Sequence, residues 1–154
     1  MAIKNPDPRQ QIVDQSKALI LKANYRGATQ LLAKGRKSFK NDFDLDYLYA
    51  KALGDYSDEL PPAKRAQLKK ESLTILKRLI RRLNGKPDET RLGLRINFYY
   101  QAYRFRDLER VGKELLPSNR VKGLYAAGLG ASLEADRLAK QRNATPRTSA
   151  RARA

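Results

Sequence analysis

Leu48-Tyr49-Ala50-Lys51-Ala52-Leu53-Gly54 and Leu124-Tyr125-Ala126-Ala127-Gly128-Leu129-Gly130 share one pattern, Leu-Tyr-Ala-x-x-Leu-Gly, 76 positions apart (Leu48 to Leu124). Around the first, Leu45, Leu48, Tyr49, Ala52 and Leu53 recur at the spacing of one helix face. Two helical hairpins of roughly 38 residues each produce such an offset. A second echo joins it: Tyr25-Arg26-Gly27-Ala28 returns as Phe105-Arg106-Asp107-Leu108, 80 positions on (Tyr25 to Phe105). Both echoes point to stacked helical hairpins. Leu48 and Leu53 in one repeat, and Leu124 and Leu129 in the other, are then expected at equivalent buried positions.

Helix punctuation extends the pattern along the chain. Asp7-Pro8-Arg9-Gln10 reads as a helix start, with Asp7 as cap, Pro8 in the first turn and Gln10 closing a capping box. Ile12, Val13, Leu19 and Ile20 carry that helix to about Asn24. A second runs from about Gly27 to Phe39, and Asn41-Asp42-Phe43-Asp44 opens a third, its acidic first turn matching the helix dipole. The third ends between Gly54 and Leu60, and Pro61-Pro62 precedes a long fourth helix to about Leu83. Asn84-Gly85-Lys86-Pro87 is a stop signal. Asp88 caps a fifth helix, with Leu92, Ile96, Tyr99 and Tyr103 on its core-facing stripe. A sixth spans about Asp107 to Leu116, and a seventh begins at Ser118 or Asn119 and continues to about Gln141. No stretch alternates with period two. The expected fold is all-α, about seven antiparallel helices in one repeat domain over residues 1–141.

Residues 142–154 read in two ways, as a basic tail or as the start of a further helix with Thr145 as cap and Pro146 in its first turn. No apolar face has developed by Ala154, so the array is expected to be truncated at this end.

Composition narrows the function. The chain of 154 residues has 33 Lys plus Arg against 16 Asp plus Glu and no histidine, a formal charge of +17. Self-repulsion at that charge favours an anionic partner. Cysteine is absent as well, which removes thiol nucleophiles and zinc-thiolate chemistry, and without histidine the commonest general bases and metal ligands are missing. No Gly-Lys-Ser/Thr phosphate loop and no GxGxxG occurs. The expectation is a protein that is not an enzyme and takes no metal or cofactor. With no secretory signal and no apolar stretch long enough for a transmembrane segment, a cytoplasmic location is expected.

The chain resembles the tetratricopeptide-repeat (TPR) superfamily in degenerate form. Tyr25 followed by Ala28 is similar to that family's turn between helices, and Leu53-Gly54 and Leu129-Gly130 resemble its Leu-Gly pair. The resemblance implies a TPR-like α-solenoid and a scaffold role in protein–protein interaction. In the family a concave groove grips partner segments with Asn and basic residues, which here implies Asn97, Tyr100, Gln101 and Arg104, with Lys51 beside them. On the fourth helix, Lys70, Lys77, Arg78 and Arg81 lie opposite Leu73, Leu76, Leu79, Ile80 and Leu83, an anion-binding stripe. The expected partner is an acidic or carboxylate-bearing protein segment; the alternative is nucleic acid, with tyrosines stacking on unpaired bases.

Overall fold

The computed structural model describes residues 5, 7–83 and 88–152, with side chains described at 5, 7–83 and 91–144. Seven helices account for almost all of them, and no strand occurs among the described residues. The chain forms two compact units, Met1–Lys86 and Pro87–Ala154. The stop signal at residues 84–87 lies outside the described residues.

The first unit holds α1 (Pro8–Leu21), α2 (Tyr25–Ser38), α3 (Phe43–Ser57) and α4 (Pro62–Arg82). Asp7 caps α1 by accepting from the Arg9 backbone N–H at 3.1 Å. Gln10 does not complete the expected capping box; its amide donates to Asp14 at 2.9 Å, one turn along. The α1–α2 turn passes through Ala23 at φ 56°, and the Asn24 N–H reaches back to the Leu19 carbonyl at 2.9 Å. Asn24 then caps α2 by accepting from the Gly27 N–H. Val13, Ala28, Leu32, Leu45, Leu48 and Ala52 form the core of α1, α2 and α3, flanked by Ile12, Leu19, Ile20, Phe39 and Tyr49. The other side of α3 receives α4. Ala50 and Gly54 have almost no side chain there, so the Ser72 hydroxyl donates to the Ala50 carbonyl at 2.6 Å and the Lys69 ammonium to the Gly54 carbonyl at 3.2 Å. Lys69 also pairs with Asp58 at 3.3 Å, a cation placed where the C-terminal turn of α3 attracts it.

The second unit holds α5 (Asp88–Gln101), α6 (Phe105–Leu115) and α7 (Arg120–Ala152). Its first turn copies that of the first unit. Tyr103 stands at φ 56°, and the Arg104 N–H reaches the Tyr99 carbonyl at 2.9 Å. Tyr103 was expected to face the core and is instead 51% exposed, because the left-handed backbone turns it outward. Leu92, Val111 and Leu115 form the core between α5 and α6, with Ile96 and Tyr99 against it. A further line on α5, Leu94, Phe98 and Gln101, is also buried.

Helices α6 and α7 meet through small residues. A methyl group on Gly112 would stand 2.4 Å from the Ala127 nitrogen, and one on Gly130 would stand 2.5 Å from the Glu109 nitrogen. Gly123 faces the Gly112 carbonyl at a similar distance. This seam overturns the expected burial of the second Leu-Tyr-Ala-x-x-Leu-Gly segment. Ala126 and Gly130 face α6, so Leu124, on the far side of the helix, is 55% exposed, and Leu129 is only half-buried. Helix α7 also continues as one element past Gln141 to Ala152, in place of a separate tail or new helix. Ala131 to Ala144 contain neither glycine nor proline, so nothing local breaks it there.

The seam predicts opposite signs for three glycine substitutions. Gly112→Ala and Gly130→Ala should destabilise the protein by about 1–3 kcal/mol through overpacking. Gly128→Ala meets nothing within 4 Å and should stabilise α7 by up to about 1 kcal/mol. Thermal unfolding of the three variants checks both directions.

Candidate anion-binding cleft

Helix α2 ends in a run of bases, with Arg36 and Lys37 in its last turn and Lys40 just beyond. Asn41, at φ 59°, turns the chain into α3, a conformation asparagine tolerates better than most residues. Asp42 caps α3 through the Leu45 N–H at 3.1 Å, and Asp44 and Asp46 complete an acidic first turn. Arg9 of α1 bonds to both Asp42 and Asp44, and its guanidinium holds the Asp42 carboxyl below the usual carboxylate range.

Asp46 organises the cleft. Its side chain is 5% exposed, with one oxygen 2.6 Å from Arg36 Nε and the other 3.2 Å from an Arg78 Nη. One carboxylate thus joins α2, α3 and α4. The Arg36 guanidinium also lies 4.4 Å from the centroid of the Tyr49 ring, an orienting cation–π contact. The Tyr49 hydroxyl bonds to Glu71 at 3.2 Å, and burial, followed by the charge of Glu71, raises its pKa. Farther along α4, Arg82 donates to the Asn41 carbonyl at 3.4 Å. Beside them lies an open cleft of about 460 Å³ lined by Arg36, Lys37, Lys40, Asn41, Asp46, Tyr49 and Arg78 together with Ala33. Four cations face one carboxylate, and each arginine keeps donors that Asp46 does not use. Arginines pre-set in this way suit a second, incoming carboxylate.

The expected anion stripe is distributed differently. Lys70, Lys77, Arg78 and Arg81 are all exposed on α4, but only Arg78 lines the cleft. Of the groove residues, Tyr100 is 38% exposed and Arg104 is exposed. Lys51 and Asn97 are half-buried, and the Asn97 Nδ2 atom is buried without a hydrogen-bond partner. Gln101 is 1% exposed and is withdrawn from any contact surface on α5, because it shares the buried line of Leu94 and Phe98. Arg104 is occupied locally, paired with Asp107 at 2.8 Å and 5.0 Å from the Tyr99 centroid. Sequence reasoning missed Arg36, Lys37, Lys40, Asp46 and Tyr49 as a group. The signal available was the basic run closing α2, which by itself is an ordinary helix-dipole device.

Glu134 of α7 takes Arg137 at 2.7 Å and Arg106 of α6 at 3.0 Å. Those two guanidiniums, Arg137 first, hold its carboxyl at about 2. Among the described residues no group of three or more acidic side chains is placed to hold a metal ion, and no helix is long and apolar enough to cross a membrane. Comparison with protein families, curated proteins and solved structures returns no match for this chain.

Two stability tests follow from these ion pairs. Asp46→Ala should cost about 2 kcal/mol, below the ~3–5 kcal/mol of a fully buried pair because Arg78 can turn to water; chemical denaturation measures it. For Glu134 the folded pKa lies below the ordinary 4.5, so its contribution is present above pH 4.5 and lost as pH falls toward about 2. Glu134→Gln should therefore flatten the fall in melting temperature over that window and leave the curve's shape at neutral pH unchanged.

Proposed function

We propose that this chain is a non-catalytic, TPR-like helical adaptor that docks an acidic, carboxylate-bearing protein segment, with its carboxylates held in the cleft of α2, α3 and α4. The observation that carries this reading is the Asp46 clamp, which fixes Arg36 and Arg78 side by side while Lys37 and Lys40 add uncompensated charge. A point cluster of cations attracts any anion, but two oriented guanidinium forks select planar carboxylates. The local shape is concave and includes an aromatic wall, Tyr49, which suits an extended segment better than duplex phosphates. Lys70, Lys77 and Arg81, exposed on the same helix as Arg78, contribute by long-range attraction and act mainly on the association rate.

The test is binding of a synthetic Glu- and Asp-rich peptide to the full chain at about 50 and 200 mM salt, beside a single-stranded oligonucleotide of equal length. Arg78→Ala should weaken the peptide about tenfold at the higher salt, whereas Lys70→Ala should act only at the lower. Tighter binding of the oligonucleotide, with a salt slope that falls by about 0.7 for each cation removed, would replace this reading with nucleic-acid binding. Loss of the peptide on Tyr100→Ala or Asn97→Ala, with Arg78→Ala silent, would move the site to α5.

A further inference from the structure

The Leu-Tyr-Ala-x-x-Leu-Gly segment has two faces, and the two units use them differently. One face is small. In the first unit, Ala50 and Gly54 take α4 at hydrogen-bonding distance; in the second, Ala126 and Gly130 lie against α6. The other face is large. In the first unit it comprises Leu45, Leu48, Tyr49 and Ala52, packed with Val13 of α1 and with Ala28 and Leu32 of α2. The matching positions of α7, by the same 76-residue offset, are Val121, Leu124, Tyr125 and Gly128. They form one line at i, i+3, i+4 and i+7. Val121 is 79% exposed, Leu124 55% and Tyr125 69%, and a methyl group on Gly128 would meet nothing within 4 Å. The face that two helices cover on α3 is uncovered on α7.

The charges beside this face name its occupant. On α3, Leu45 is flanked by Asp44 and Asp46, and these meet Arg9 of α1 and Arg36 of α2. The positions flanking Val121 on α7 are Arg120 and Lys122, the opposite sign at both. Arg120 is exposed, so a helix seated here in the manner of α1 meets it with an acid where α1 carries Arg9. A second copy of the chain would bring Arg120 and Lys122 toward like charges on a molecule of net charge +17, which opposes self-association. We infer that the Val121–Leu124–Tyr125 face of α7 docks an amphipathic α-helix of another protein, with aliphatic anchors on one face and Glu or Asp at its edges. This surface is separate from the cleft of the first unit and does not depend on it.

The test uses the full chain and two designed helical peptides with the same Leu/Ile face, one edged with Glu and one with Lys. Fluorescence anisotropy at about 150 mM salt, near physiological strength, keeps long-range attraction small. The Glu-edged peptide should bind and the Lys-edged one should not. Leu124→Ser and Tyr125→Ser, at exposed positions that leave the helical circular dichroism spectrum unchanged, should each weaken it about tenfold or more. Arg120→Glu should reverse the preference between the peptides. Three results overturn the inference: no binding of the Glu-edged peptide up to millimolar concentration, equal affinity for both peptides, or binding that ignores Leu124→Ser. Concentration-dependent self-association in sedimentation, abolished by Leu124→Ser, would likewise overturn it in favour of a second copy. Arg78→Ala should leave this binding unchanged, which separates it from the cleft.

Discussion

A carboxylate with 5% exposure, bonded to guanidiniums from two other helices, is the constraint on which the first unit depends. Asp46 alone, taken out of water, would be strongly unfavourable; its position requires α2 to bring Arg36 and α4 to bring Arg78. That requirement sets where α4 lies along α3. The Ser72–Ala50 and Lys69–Gly54 contacts then follow in register, about one and two turns farther along α3. The apolar core of Leu45, Leu48, Leu32 and Val13 supplies the driving force. It is not directional, and the polar bonds select one alignment among those a leucine-rich face permits.

The same clamp makes the cleft. Asp46 engages each arginine through only part of its fork, and both arginines line the cleft together with Lys37 and Lys40. A structural ion pair and the proposed docking cleft thus share residues. Stability and affinity in this region are expected to be coupled, because Asp46, Arg36 and Arg78 serve both.

In the second unit, glycines set the packing of α6 on α7. Gly112, Gly123 and Gly130 bring the α6 and α7 backbones close, and ion pairs such as Arg106–Glu134 sit at the edge of the seam. Close approach on one side leaves the large side chains of α7 on the other. The exposed Leu124 and Tyr125 follow from that choice of face, and so does the open surface assigned to an acidic helix.

Helix content and most helix limits were legible in the sequence, because caps and stops act locally: Asp7 and Asn119 bond to nearby backbone N–H groups as their positions suggest. The likeness of the two turns was legible too, and Ala23 and Tyr103 adopt the same left-handed backbone with the same return bond. The exposure of the α4 stripe followed from helical periodicity alone. Which face of a helix meets its neighbour did not, since periodicity defines faces without saying how many are covered. Leu48 and Leu124 have the same local sequence and opposite exposure for that reason. Nor could spacing along the chain join Arg36, Asp46 and Arg78, which meet only when three helices pack. The sequence by itself determined an all-helical, basic chain in which one Leu-Tyr-Ala-x-x-Leu-Gly segment occurs twice, with no thiol or imidazole side chain. Tertiary structure decided which carboxylate gathers the arginines and which apolar face stays open, because both depend on contacts between segments far apart in the chain.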